Sequence, residues 1–325
     1  MNSQTWIVTG GAGYVGSHVT EALIRAGMSV VIYDSLVNGL ESRIDYLRRK
    51  HTCEIPLIVE DIRNLGKIEE AFSMFKPYGV IHTAALKSVS ESIREPETYM
   101  EVNLNGTKNI LDIMTQHEIR NIIFSSTAAV YGLPRDQELI KESEAKNPIS
   151  PYGRSKLLAE NEVNKFLSDS ENRGTSLRFF NVVGRESIEL ADESNDNLVP
   201  ILLNRISDNL PIEIYGTDYE TSDGTCVRDY VDVRDVASAH LSVALNLQRL
   251  PDAINIGTGK GVSVREMVEL VINQSTKHEA LVLDRPRRIG DADFVCASTE
   301  LAKKALNFEC QYSLSDSIRS VLART

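Results

Sequence analysis

Thr9-Gly10-Gly11-Ala12-Gly13-Tyr14-Val15-Gly16 is the stretch on which the reading of this chain turns. It follows an apolar run, Thr5-Trp6-Ile7-Val8-Thr9, and opens an amphipathic segment, Val15–Ala26. Two glycine spacings overlap, Gly10/Gly13/Gly16 and Gly11/Gly13/Gly16. Either one allows a tight strand-to-helix turn and lets backbone N–H groups approach a pyrophosphate at the helix N-terminus. Glycines alone also suit an ordinary turn, but the strand before and the helix after select the dinucleotide reading. A nucleotide-hydrolase phosphate loop is excluded, since it needs Lys after the last glycine and Ser17 stands there. Asp34 ends the second apolar run. A carboxylate there can accept from both ribose hydroxyls and repels a 2′-phosphate, which favours NAD over NADP.

Outward from this loop, short Ile/Val-rich runs alternate with helical patterns. The strand candidates are Thr5–Thr9, Val30–Tyr33, Ile55–Val59, Val80–Thr83, Ile122–Ser126 and Ser176–Phe180. Val15–Ala26, Leu65–Phe75, Val102–Gln116 and Pro151–Phe166 are long enough for crossover helices. This order predicts an α/β fold, a doubly wound and mostly parallel Rossmann sheet. After Asn181 the pattern is irregular, with strand-like Asp229–Val233 and Ala253–Gly257 and helical Val236–Leu247, Val264–Ile272 and Leu301–Leu306. The expected division is an NAD-binding domain over 1–180 and a smaller substrate-binding α/β domain over 181–325. Segments near 229–257 are expected to return to the first.

Composition narrows the function classes. A formal net charge of −11 argues against phosphate-driven nucleic-acid binding. Cys53, Cys226, Cys296 and Cys310 lie far apart, and neither they nor the six histidines show metal-ligand spacing. Reduced thiols, no metal and a cytoplasmic location are expected. The N-terminal run lacks a basic flank and a long apolar core, so neither a signal peptide nor a membrane span is expected.

Ser150-Pro151-Tyr152-Gly153-Arg154-Ser155-Lys156 reads as a helix start, with Ser150 as N-cap and Pro151 at the first helical position. Tyr152 and Lys156 then share a face, one turn apart. A phenol with a pKa of about 10 is no base at neutral pH, but a neighbouring ammonium favours the phenolate. Tyr-x-x-x-Lys by itself also suits a surface pair; the glycine loop and the chain order make it functional. Phe124-Ser125-Ser126-Thr127 should end a strand at the ligand crevice, where Thr127 can bridge a substrate hydroxyl and Tyr152.

These motifs resemble the extended short-chain dehydrogenase/reductase superfamily over nearly the whole chain, and within it the UDP-glucose 4-epimerase family. His82-Thr83-Ala84-Ala85-Leu86-Lys87-Ser88-Val89-Ser90-Glu91-Ser92 is similar to the epimerase segment beside the cofactor, and Asn103-Leu104-Asn105-Gly106-Thr107 to its cofactor-side helix. The resemblance implies catalysis by Tyr152, Lys156 and Thr127. It implies NAD contacts from Gly10, Gly13, Tyr14, Val15, Gly16, Asp34, Ser35, Asn38, Gly39, Asp61 and Ile62. Further contacts are Thr83, Ala84, Ala85, Lys87, Asn103, Ser125 and Phe180, besides Tyr152 and Lys156. For a UDP-hexose it implies Lys87, Thr127, Tyr152, Asn181, Asn197, Leu198, Glu213, Ile214 and Tyr215. Arg228 in Gly224-Thr225-Cys226-Val227-Arg228-Asp229-Tyr230 and Arg288 with Asp291 in Arg287-Arg288-Ile289-Gly290-Asp291 complete the nucleotide side. Both arginines suit a diphosphate, and Asp291 a ribose. Val295, four residues beyond Asp291, corresponds to a hexose-pocket residue.

The chain departs from the family's pattern at Thr127, commonly Ser, at Phe179, often Tyr, and at Val182, where Pro is usual. The stretch Arg185–Asp196 is short and divergent. A 4,6-dehydratase needs Asp-Glu after the catalytic Thr, and Ala128-Ala129 stand there. A UDP-glucuronate 4-epimerase or another nucleotide-sugar enzyme remains the alternative. The resemblance also implies a homodimer joined by helices like Glu97–Gln116 and Pro151–Phe166.

Overall fold

A computed structural model describes residues 4–134, 137–194, 196–275, 280–288 and 290–323. The first six strands are β1 (Thr5–Thr9), β2 (Ser29–Asp34), β3 (Leu57–Val59), β4 (Gly79–His82), β5 (Asn121–Thr127) and β6 (Arg173–Phe179). The intervening helices are α1 (Tyr14–Arg25), α2 (Glu41–His51), α3 (Leu65–Phe75), α4 (Val89–Arg94), α5 (Pro96–Tyr99), α6 (Gly106–Gln116) and α7 (Pro151–Leu167). Short β7 (Asn181–Val183), α8 (Leu198–Ser207), β8 (Ile212–Tyr215) and β9 (Val227–Asp232) leave this body. Next, α9 (Val233–Leu245) and β10 (Arg249–Ile256) return to it. Last come β11 (Gly261–Ser263), α10 (Val264–Gln274), β12 (Val282–Arg285), β13 (Phe294–Val295), α11 (Glu300–Leu306) and α12 (Leu314–Leu322).

The main sheet has seven strands in the order β10-β6-β5-β4-β1-β2-β3, and every pairing in it is parallel. Strand order reverses between β1 and β4, so a crevice opens at their carboxyl ends, where doubly wound sheets bind ligands. Both faces are buried, and successive side chains alternate between them. Trp6, Val8, Val30, Ile32 and Ile123 pack with Val19, Leu23, Val236 and Val243 on one face. Ile7, Val31, Tyr33, Ile122 and Phe124 pack with Ile68, Phe72, Ile110 and Met114 on the other. A four-stranded sheet (β7, β9, β11, β13) and the β8–β12 pair form the remainder around Val199, Leu202, Ile214 and Met267.

Some boundaries differ from the sequence reading. Strand β3 starts at Leu57, because Pro56 has no N–H for the ladder. The helix expected over Val102–Gln116 is divided, with a π-helical turn at Met100–Asn105 before α6. There Gly106 lies tight on Ile62, whose Cδ1 would be 2.5 Å from any Cβ. Helix α9 begins at Val233, earlier than expected, because the Asp232 carboxylate accepts from Arg234 N and caps it.

Candidate active site

The loop after β1 is shaped as a cradle. Gly10 has φ +70°, and a Cβ there would come within 2.6 Å of Ala84 N in the loop after β4. A Cβ on Gly16 would strike the Gly10 carbonyl oxygen at 2.1 Å. Gly13 caps α1 with no side-chain oxygen, so the first-turn N–H groups at Tyr14 and Val15 are left for an anion. Asp34 is buried; its Oδ2 accepts from Ala12 N and its Oδ1 from Leu36 N, both at 2.9 Å. Burial pushes this carboxyl up, and the two N–H donors oppose the rise. Gly39 is needed beside it, since a Cβ would sit 2.6 Å from Asp34 Oδ1. Ser35 and Asn38 are exposed on the same loop. Asp61 is fixed by Arg63 at 2.7 and 2.9 Å, which holds its carboxyl below the usual range. These features fit a dinucleotide with free adenosine-ribose hydroxyls.

The reacting groups meet where β5 ends and α7 begins. Ser150 Oγ accepts from Gly153 N at 3.0 Å, and Pro151 opens the helix. Gly153 lets that turn lie on the chain after β5, for a Cβ there would be 2.6 Å from the Ala129 carbonyl oxygen. The Thr127 hydroxyl is thereby set toward the half-buried Tyr152 phenol. Burial pushes the phenol up, and the Thr127 hydroxyl pulls against that rise. Lys156 is buried with its Nζ 4.0 Å over the Phe124 ring. Burial lowers it to about 7, and Glu160 opposes that fall.

Beneath the trio runs a polar chain. His82 Nδ1 lies 2.6 Å from Thr9 Oγ1, and His82 Nε2 lies 2.9 Å from Thr107 Oγ1. Thr107 donates to the Asn103 carbonyl at 2.6 Å. The Asn103 side chain accepts from Leu86 N and donates to Leu86 O and to Ser155 Oγ. Expected from sequence at the cofactor, Asn103 also braces the loop after β4 against the helix of Tyr152. Ser125 Oγ is likewise engaged, 2.8 Å from His240 Nε2.

The remaining residues expected at the cofactor and the substrate are spread over several elements. Phe180 is buried with Val130, Tyr131, Ile140 and Ala297, and Val295 packs on that cluster. Asn181, on β7, is exposed, while Thr83, Ala84 and Ala85 are half-buried. Val295 is in parallel register with Arg228, whose guanidinium bonds Asp291 at 2.5 Å and the Val227 and Ala292 carbonyls at 2.8 Å. Arg228 is thus braced inside the protein. Arg288 stacks 4.2 Å from the Tyr215 ring. Glu213 pairs with Arg205 and Arg285, and Ile214 points into the core. Lys87 Nζ is 3.5 Å from Asp192 Oδ1, and Asn197, just before Leu198 opens α8, donates to Asp192 Oδ2 at 2.5 Å. Ile289 and Asn195, within the expected substrate segments, lie outside the described residues.

Two features were not anticipated. Buried Arg43 on α2 joins the glycine loop to the divergent segment, donating to Ala12 O at 3.0 Å and Ala191 O at 2.6 Å. Only its place after Asp34 could have drawn attention to it. A cavity of about 250 Å³ lies between Tyr14, Val182–Arg185 and α8, and contains none of Thr127, Tyr152 or Lys156. Tyr14 forms its wall while donating to the Gly184 carbonyl at 2.6 Å.

Comparison with known proteins agrees with this geometry. A UDP-glucose 4-epimerase of Cyamopsis tetragonoloba is 37% identical, over 98% of this chain and 94% of the relative. The crystal structure of a UDP-glucose 4-epimerase from Stenotrophomonas maltophila, with bound NAD and formylated UDP-arabinopyranose, superposes with a TM-score of 0.92. It is 32% identical and is matched over 98% of this chain and 97% of its own. The UDP-Glc/GlcNAc 4-epimerase of Campylobacter jejuni, 28% identical, superposes at 0.86 over 98% of each chain. The family model for the NAD dependent epimerase/dehydratase family matches residues 6–257. Fold, full-length likeness and family match agree: the chain belongs to the NAD dependent epimerase/dehydratase family of extended short-chain dehydrogenases/reductases.

Proposed function

We propose that the protein is an NAD-dependent isomerase that inverts C4 of a UDP-hexose, interconverting UDP-glucose and UDP-galactose through a transient 4-keto sugar. The observation that carries this reading is the placement of Thr127 at the carboxyl end of β5 with Tyr152 and Lys156 one turn apart at the start of α7, Lys156 lying over Phe124 of the same strand. NAD would be held by the glycine loop, the α1 N-terminus, Asp34 and Lys87, and when bound would supply a reversible hydride acceptor for C4. The chain's own residues handle the proton. Tyr152 as phenolate takes the C4 hydroxyl proton, with Thr127 in the hydrogen-bond path, and returns it after the sugar has turned. Lys156, as an ammonium, lowers the cost of that phenolate in a buried site. Arg228, Arg288 and Asp291 anchor the UDP so that the sugar can present either face.

Net redox change is zero, so turnover needs no added electron acceptor. UDP-galactose incubated with the purified protein alone should give UDP-glucose. A requirement for added NAD in stoichiometric amount, or conversion of UDP-glucuronate in preference, would overturn the reading. Two further points belong to the proposal. The four cysteines are free, which suits a reducing cytoplasm. The groove between α6 and α7 is rimmed by Lys108, Asp112, Glu162 and Lys165, and the homodimer that the resemblance implies is tested by sedimentation.

A further inference from the structure

A second charged pair lies under the reacting end of α7, and no step above uses it. Glu160 and Arg178 are 1% and 2% exposed. Arg178 Nη2 donates to Glu160 Oε2 at 2.7 Å and Arg178 Nε to Oε1 at 2.9 Å. Ser126 Oγ also donates to Oε1. On its other side Arg178 Nη1 donates to Tyr131 Oη at 2.8 Å, and that hydroxyl donates to Asn255 Oδ1 at 2.7 Å. A buried ion pair is seldom more stabilising than apolar residues of the same volume. Its position therefore asks for another reason.

Glu160 stands one helical turn beyond Lys156 on the same face of α7, at about 5–6 Å between Cβ atoms. Ser126 is the residue before Thr127. The pair thus grips both the strand and the helix that bring the trio together. We propose that Glu160, held by Arg178 and Ser126, is a positioning residue whose carboxylate is the internal counter-charge keeping Lys156 an ammonium beneath Tyr152. This deepens the epimerase reading and rests on it for its catalytic meaning.

The surroundings leave Lys156 as the group that responds. From β4 it faces His82, which burial, with Lys156 itself, holds near 3. From β6 comes Arg178, turned to Glu160, and after β5 Tyr131, which burial raises to about 12. Tyr99 of α5 meets Tyr152 edge-on at 6.4 Å and donates to Glu91 of α4. On the outer side, Lys108 of α6 pairs with Glu162 of α7. Neither His82 nor Tyr131 changes charge between about pH 6 and 9.

The test follows the Lys156 ammonium directly, by 13C-lysine NMR of the NAD-bound protein, the signal being assigned by its loss in Lys156→Arg. Neutralising the whole pair in Glu160→Gln/Arg178→Met spares the fold an unpaired buried charge. In that variant the Lys156 midpoint should fall by about one pH unit or more. The alkaline limb of kcat should fall with it. Arg178→Met alone leaves the carboxylate uncompensated and should move the midpoint up; it decides the matter should the double variant be unstable. An unmoved midpoint in a folded variant, or a kcat lowered equally at every pH, overturns the proposal. Failure of the wild type to convert any UDP-hexose would instead count against the epimerase reading, because the NMR midpoints need no turnover.

Discussion

Thr127 and Tyr152 face each other from different elements, the end of β5 and the first turn of α7. They can do so because Gly153 lets the helix start rest on the Ala129 carbonyl. The Thr127 hydroxyl favours the ionised phenol in a site whose burial opposes ionisation. Tyr152→Phe should therefore keep the fold and the bound NAD but slow epimerisation at least about a hundredfold. Thr127→Val should also be slow, whereas Thr127→Ser keeps the hydroxyl and most of the rate. Near-normal turnover in Tyr152→Phe would remove the tyrosine from the proton path.

The glycine loop, the strand-helix alternation and the Tyr152/Lys156 spacing were all legible in the sequence, because each obeys a local rule of turn, periodicity or helical face. The brace formed by Asn103 was not. Its amide reaches Leu86 and Ser155, 17 and 52 residues away in sequence, through a π-helical turn that no periodicity reveals. The same holds for Glu160 and Arg178, 18 residues apart on a helix and a strand: charged residues read as solvated until a tertiary partner is known. Arg228 looked suited to a diphosphate from its motif, yet its bond to Asp291 depends on where the chain returns 63 residues later.

Asp34 should decide cofactor choice through charge as well as hydrogen bonding. Its carboxylate is fixed by Ala12 N and Leu36 N, so it cannot swing away from a 2′-phosphate. Wild-type protein should bind NAD at least about tenfold more tightly than NADP, the equivalent of about 1.4 kcal/mol of repulsion. Asp34→Asn with Ser35→Arg keeps a backbone acceptor and adds a cation, and should narrow or reverse the ratio. Equal titration of both cofactors by the wild type would refute this role.

Three buried histidines give the fold an acid limit. Burial lowers His18 and His240 to about 4 and His82 to about 3. In the unfolded chain each would titrate near its ordinary value, about 6.5. Between these values the unfolded state binds protons that the folded state refuses, so stability falls as pH falls through 6 toward 4. With three such groups the loss approaches about 4 kcal/mol per pH unit, and it vanishes above about pH 7. Urea midpoints measured at pH 7.5 and 5.5 should show it, and His240→Gln should flatten the slope by about a third. Equal midpoints at the two pH values would mean that these imidazoles are protonated in the fold.

Val295 is the residue on which sugar breadth should turn. It sits half-buried on β13, in register with the braced Arg228, and packs on the cluster that holds Phe180 beside Ala128. The same cluster takes in Ala128, the residue after Thr127, which brings Val295 near the end of β5. A valine leaves space there that a tyrosine ring would fill, and overpacking a fitted site costs about 1–3 kcal/mol. The Campylobacter jejuni relative is a UDP-Glc/GlcNAc 4-epimerase. The wild type should accordingly epimerise UDP-N-acetylglucosamine as well as UDP-glucose. Val295→Tyr should lose the acetylated activity by roughly tenfold to a hundredfold and spare the other, the range that about 1–3 kcal/mol implies. A strand residue with only a packing role would behave differently, lowering both activities and the unfolding midpoint together. Measuring both sugars on both proteins, with urea unfolding alongside, separates a gate from a core position.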